Sequence, residues 1–179
     1  MFHRSASLRF KQFWLQHAWV GTVLVFVIAA VVFTVITATP SFKDPDSFYH
    51  LKMAELMMKR REAVVAFPWL QFTTLGKSYA DHHLLYHIAL VPFIAVFGNI
   101  VGMKVATVLL AASVILLCYA LLRSFHVRWA LIWSMVLVAS PGLLFRLSLA
   151  KASGVALLFL IGGWWCITTR RYGLLGIIS

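Results

Sequence analysis

Acidic residues are nearly missing from this chain. Asp and Glu number 5 in 179 residues, against 16 Lys and Arg, and charged residues make up only 12% of the total. Soluble domains carry about a quarter charged residues, so a chain that is 62% hydrophobic with so few charges is excluded from that class and belongs in a bilayer. Cysteine is scarce as well. Cys118 and Cys166 each lie inside an apolar run, where a free thiol behaves as a small hydrophobe, which leaves no disulfide framework and no thiol chemistry. The shortage of acids produces a formal net charge of +11. In a soluble protein that excess would suggest nucleic acid. Here the basic residues sit at the ends of apolar runs and along one polar segment, so the expected partners are anionic membrane lipids and lipid-linked phosphates, with no nucleic acid.

The few acids are gathered in one place. Asp44, Asp46, Glu55, Glu62 and Asp81 all fall between the first apolar run and the next, with four of the seven histidines, His50, His82, His83 and His87. Elsewhere, runs such as Val20 to Ala38 and Ile100 to Leu122 carry almost nothing that ionises. In a membrane protein, such concentration points to a site rather than to surface decoration.

Run length and charge placement predict an all-α polytopic membrane protein. Four spans are expected at about 19–39, 99–122, 128–144 and 153–169. The fifth apolar stretch, Leu84 to Phe97, is short and contains His87 and Pro92. Treating it as an interfacial or re-entrant helix puts the basic N-terminus, the Arg123/Arg128 turn and Arg170-Arg171 on one side, as the positive-inside rule prefers. The N-terminal segment 1–18 is then cytoplasmic and residues 40–98 form a large external loop. A second, shorter outer segment runs from Ser140 to Ser148. Arg4, Arg9 and Lys11 ahead of the first run suit a signal sequence; a run of about twenty residues favours a retained anchor over a cleavable core of about 7–15, although Thr37-Ala38-Thr39 would suit cleavage. Residues 172–179 begin a further apolar run that stops, which leads us to expect the N-terminal part of a longer protein.

Within the loop, Asp46 is predicted to cap an amphipathic helix over about 47–61, with Phe48, Leu51, Ala54 and Met58 on an apolar stripe lying at the membrane surface. Residues 67–75 lack a helical period and are expected to be irregular or extended. Asp44-Pro45-Asp46 places two carboxylates close together, able to hold a divalent cation or share a proton; equally, Asp46 serves only as a cap and Asp44 as a solvated loop residue. Asp81-His82-His83 with His87 is the second constellation: a helix beginning near His82 sets His83 and His87 on one face, with Asp81 to orient one or join a metal shell. The alternative is an interfacial helix anchored by its histidines. Lys77, Arg146 and Lys151 are candidates for a phosphate clamp, Arg146 foremost because guanidinium matches phosphate bidentately, whereas Lys151 suits snorkelling to headgroups. Trp69, Phe72 and Tyr79 can stack on a sugar or serve as interfacial aromatics.

With that layout, Asp44-Pro45-Asp46-Ser47-Phe48-Tyr49-His50-Leu51 resembles the acidic motif that opens the first external loop in membrane glycosyltransferases of the GT-C class, most closely the oligosaccharyltransferase catalytic subunit. Phe145-Arg146-Leu147-Ser148-Leu149-Ala150 is similar to that family's second external segment. The resemblance implies transfer of a sugar or oligosaccharide from a polyprenyl-phosphate or -pyrophosphate donor to a protein, lipid or glycan acceptor on the outer face. It implies Asp46 as the essential carboxylate, with Asp44 and Asp81 as catalytic partners. Arg146, Lys77, His82, His83, Tyr49 and His50 would bind substrate. Mn2+ or Mg2+ would be held by Asp46, Asp81 and His83, unless the chain follows the metal-independent members of the class. The family's second acidic motif is absent: Ala150-Lys151-Ala152-Ser153-Gly154 stands there instead. Two other classes fit the loop, an ion-coupled transporter and a non-catalytic subunit that docks a partner.

Overall fold

Every regular element among the described residues is a helix, as a chain with long apolar runs requires where no water is present to satisfy its backbone. The structure is a computed structural model that describes residues 18–63, 72–73, 76, 79–171 and 173–174. Helix α1 (Ala18–Thr37) is apolar on all sides. It lays Val25, Ala29 and Phe33 against the interior and leaves Val23, Val27, Val31 and Val35 exposed, the distribution of a helix that meets protein on one side and lipid on the other. Thr34 and Thr37 do not break this pattern, because their hydroxyls donate back to the carbonyls of Ala30 at 2.7 Å and Phe33 at 2.8 Å.

The central element is α4 (Asn99–Ser124), against which α1, α3 (Leu84–Phe97), α5 (Ala130–Ala139) and α7 (Ser153–Thr168) all pack. Its small residues Ala106, Ala111 and Ala112 are buried and let neighbours approach closely. The turn from α3 into α4 depends on two glycines. Gly98 sits at φ 77°, open to glycine at little cost. At Gly102 a Cβ would overlap the Phe93 carbonyl, so α3 and α4 meet backbone to backbone.

Helix α2 (Asp46–Arg60) folds over the α3–α4 pair. Leu51 and Ala54 face a cluster with Tyr86, Leu90 and Ile94 of α3 and Met103 and Ala106 of α4. The expected stripe is rotated: Ser47, His50, Met53 and Met57 are buried, Met58 packs at the edge, and Phe48 is exposed beside Phe42. The cap is also corrected. Pro45 holds the N-cap position with no side-chain cap, and Asp46 is the first helical residue. Its carboxylate is drawn to a lysine distant in sequence, a stronger attraction than a neutral amide offers.

By length and composition, residues 19–37 and α4 are sufficient to cross a membrane. The third expected span, 128–144, is not one straight helix. It breaks into α5 and α6 (Pro141–Ser148) with a bend of 69°, and the pair makes a third candidate span if counted as one. The cause is local: a residue before proline is driven out of the α region, Ser140 is extended at ψ 114°, and Pro141 starts the next helix. Helices α3 and α7 are apolar but shorter. The expectations for segments 1–18 and 172–179 lie almost wholly outside the described residues, as does most of 67–75.

Candidate active site

Two clusters form where α2 begins, and α2 carries a residue of each. In the first, Lys151, on the turn between α6 and α7, places Nζ 2.9 Å from Asp44 Oδ2 and 2.8 Å from Asp46 Oδ2. Segments 105 residues apart in sequence therefore converge on one ammonium group. Its hydrogen bond holds the Asp46 carboxyl below the usual carboxylate range, and the two carboxylates hold Lys151 above the usual lysine range. The Asp46 side chain is 65% exposed, against 19% for Asp44, so Asp46 is the carboxylate that an incoming molecule can touch.

The second cluster is buried. Asp81 Oδ1 accepts from the backbone N–H of His83 at 2.9 Å, closing the turn that leads into α3. Its Oδ2 lies 2.6 Å from His87 Nδ1, and His87 Nε2 lies 2.8 Å from His50 Nδ1. With Asp81 ionised and both rings neutral, only one proton arrangement satisfies all three groups. His87 Nδ1–H donates to Asp81, His50 Nδ1–H donates to His87 Nε2, and His50 Nε2 keeps its lone pair. Burial, then the neighbouring His87 and His83 imidazoles, push His50 down to about 4, so it is neutral at physiological pH. The chain fastens α2 to α3 by hydrogen bonds in a site where leaving any member unpaired is costly.

Around this chain, the His83 ring at the N-cap of α3 stands edge-on to His50 with centroids 5.1 Å apart, and Tyr86 in the first turn of α3 does so at 5.2 Å. Tyr49 packs edge-on to His87, and its hydroxyl bonds that of Tyr79. Tyr79 is thereby engaged with protein. Phe72 is exposed. His82 is exposed on the turn before α3, and Arg146 is exposed in the last turn of α6. Lys77 and Trp69 lie outside the described residues.

The grouping differs from the expected one. Asp46 and Asp81 are not direct partners: each is committed to a different cation or donor. Among the described residues no three His, Cys, Asp or Glu groups converge on a metal position, and an ammonium group already occupies the space between Asp44 and Asp46. The residues present therefore do not fit a Mn2+ or Mg2+ site built from Asp46, Asp81 and His83. Two residues carry more than sequence reasoning gives them. His87 proves to be the middle of the buried chain, and Lys151 the counter-charge of the acidic pair; spacing links His83 to His87 along one helix, but nothing local links Lys151 to Asp44. Compared with protein-family models, curated proteins and solved structures, the chain matches none.

Proposed function

We propose that this chain is a GT-C-like membrane glycosyltransferase that moves a sugar or oligosaccharide from a polyprenyl-phosphate or -pyrophosphate donor to an acceptor on the outer face of a membrane. The observation that carries the reading is the junction of Lys151 with Asp44 and Asp46. The opening motif of the acidic loop and the segment after the third apolar stretch, the two places where the resemblance expects active-site residues, meet at one point.

In this reading four segments cross the bilayer, the third of them bent at Ser140-Pro141, and the N-terminus is cytoplasmic. Helices α2 and α3 lie on the outer side with the site. The exposed Asp46 carboxylate orients the acceptor's O–H or N–H and takes its proton as the new bond to the anomeric carbon forms. A weak base suffices if the proton leaves late, once bond formation has made the nucleophile acidic. The bond from the anomeric carbon to the donor phosphate oxygen breaks with its electron pair on that oxygen, and the charge there is met by cations, Arg146 among them. Lys151 supplies next to the carboxylates the positive charge that a divalent ion supplies in metal-dependent members, so the reading takes the metal-independent alternative. The Asp81–His87–His50 chain is a positioning device, since His50 is only 4% exposed and acts by holding α2.

The test is transfer from a polyprenyl-linked sugar by the full-length protein. An Asp46→Asn variant that folds and binds donor should lose transfer by about a hundredfold or more, the scale of a lost general base. Transfer at the wild-type rate would remove the assignment.

A further inference from the structure

Beside the acidic pair, where the end of α1, the start of α2 and α4 come together, lies a small polar recess that the proposed chemistry does not use. Its walls include Thr39, Lys43, Ser47, Lys104 and Thr107, and its free interior is about 20 Å3, room for one or two water-sized groups. Two observations mark it as more than a packing defect. The Ser47 hydroxyl is buried, with the residue 1% exposed, and has no hydrogen-bond partner. Lys104 is half-buried near the start of a candidate span; its ammonium donates to the Thr39 carbonyl, and among the described residues no carboxylate pairs with it. In membrane proteins a half-buried cation near a span, with no carboxylate beside it, marks a functional position by default.

We propose that this recess is a phosphate-recognition site, in which Lys104 and Ser47 take one non-bridging oxygen of a phosphate ester presented from the membrane, the remainder of the ester standing at the mouth. The charges nearby favour an anion. Lys43, Lys104 and Lys151 contribute three ammonium groups, while Asp44 and Asp46 contribute two carboxylates already paired with Lys151. The interior admits an oxygen and not a sugar ring, so the site reads phosphate and leaves the sugar to lie toward Asp46. Thr39 and Thr107 are less suited to the ligand, since their hydroxyls already donate to the carbonyls of Ser41 and Met103. Only the identity of the ester as the sugar donor rests on the function proposed above.

The experiment places the full-length protein in phosphatidylcholine nanodiscs containing either a polyprenyl monophosphate or phosphatidylglycerol, and counts retained lipid by native mass spectrometry. Ser47→Ala and Lys104→Met should each lower retention of the phosphate-bearing lipid by about tenfold, the scale of one charge-assisted hydrogen bond, and Lys104→Arg should restore it. Loss confined to the polyprenyl phosphate identifies the donor as the source; loss in both arms identifies membrane phosphate esters in general. Because Lys104 also ties down Thr39, its Met variant can fail to fold, and Ser47→Ala then decides alone. Unchanged retention in both arms would overturn the site, and it would do so whether or not the protein transfers sugar, because no turnover is read.

Discussion

At Asp46 a carboxylate that the helix could have used as a cap is instead held by a lysine 105 residues later in the chain. Lys151 keeps Asp46 ionised to lower pH than an ordinary aspartate. Replacing Lys151 with Met should therefore let the Asp46 pKa climb, the more so with Asp44 beside it. The acid limb of kcat/KM for sugar transfer would move to higher pH, and a pH–rate profile reads it directly. His50 gives a second residue-scale prediction, this one on stability. Its folded-state pKa of about 4 lies below the ordinary imidazole value of about 6.5. The unfolded chain thus binds the extra proton first as pH falls. Stability contributed by the neutral ring is fully present above about 6.5 and is lost between there and about 4, on the order of 3 kcal/mol in all. Melting temperatures measured across that window should fall for the wild type. A His50→Phe variant should be less stable at neutral pH, having orphaned His87 Nε2, but flatter across the window.

Among the elements, the junction of α3 with α4 is the least forgiving. Gly102 has no room for a Cβ against the Phe93 carbonyl, so Gly102→Ala should force the helices apart and cost about 1–3 kcal/mol, the usual scale of overpacking. Thermal unfolding in detergent measures it. If the helices separate, the Asp81–His87–His50 chain is strained with them, since α3 holds His87 and α2 is fastened to α3 partly through it, beside the apolar contacts of Leu51, Ala54, Met53 and Met57. Much of this architecture is legible in the sequence. The limits 84–97 follow from an apolar run bounded by the His82-His83 turn and Gly98, and α2 from an acidic start and a basic end. The break at Ser140-Pro141 can be read from proline's effect on the residue before it, but run length alone hides it. The face α2 buries is misjudged from sequence because His50 is paired inside, and a histidine counts as polar until its partners are known. Lys151 is illegible in principle: its role comes from tertiary convergence, and locally it is only a cation at a helix end.

For the whole molecule, the exposed valines of α1 and the exposed Phe159, Leu160 and Trp164 of α7 put large apolar side chains on the exterior of both helices, so extraction should require detergent rather than high salt or alkali. Sidedness is open to labelling. Cysteine placed at Ser41 or Ala63, both exposed, should react with an impermeant maleimide from outside. Cysteine at His126, in the turn after α4, should react only after permeabilisation. Labelling of positions Ala63 and His126 from the same side would contradict the proposed topology. The most direct measurement of the central claim is native mass spectrometry of the full-length protein purified gently from its own membranes. The account predicts a co-purifying polyprenyl-linked sugar that disappears when acceptor is added to the wild type and persists in Asp46→Asn. Ordinary phospholipids alone, under conditions that retain them, would contradict it.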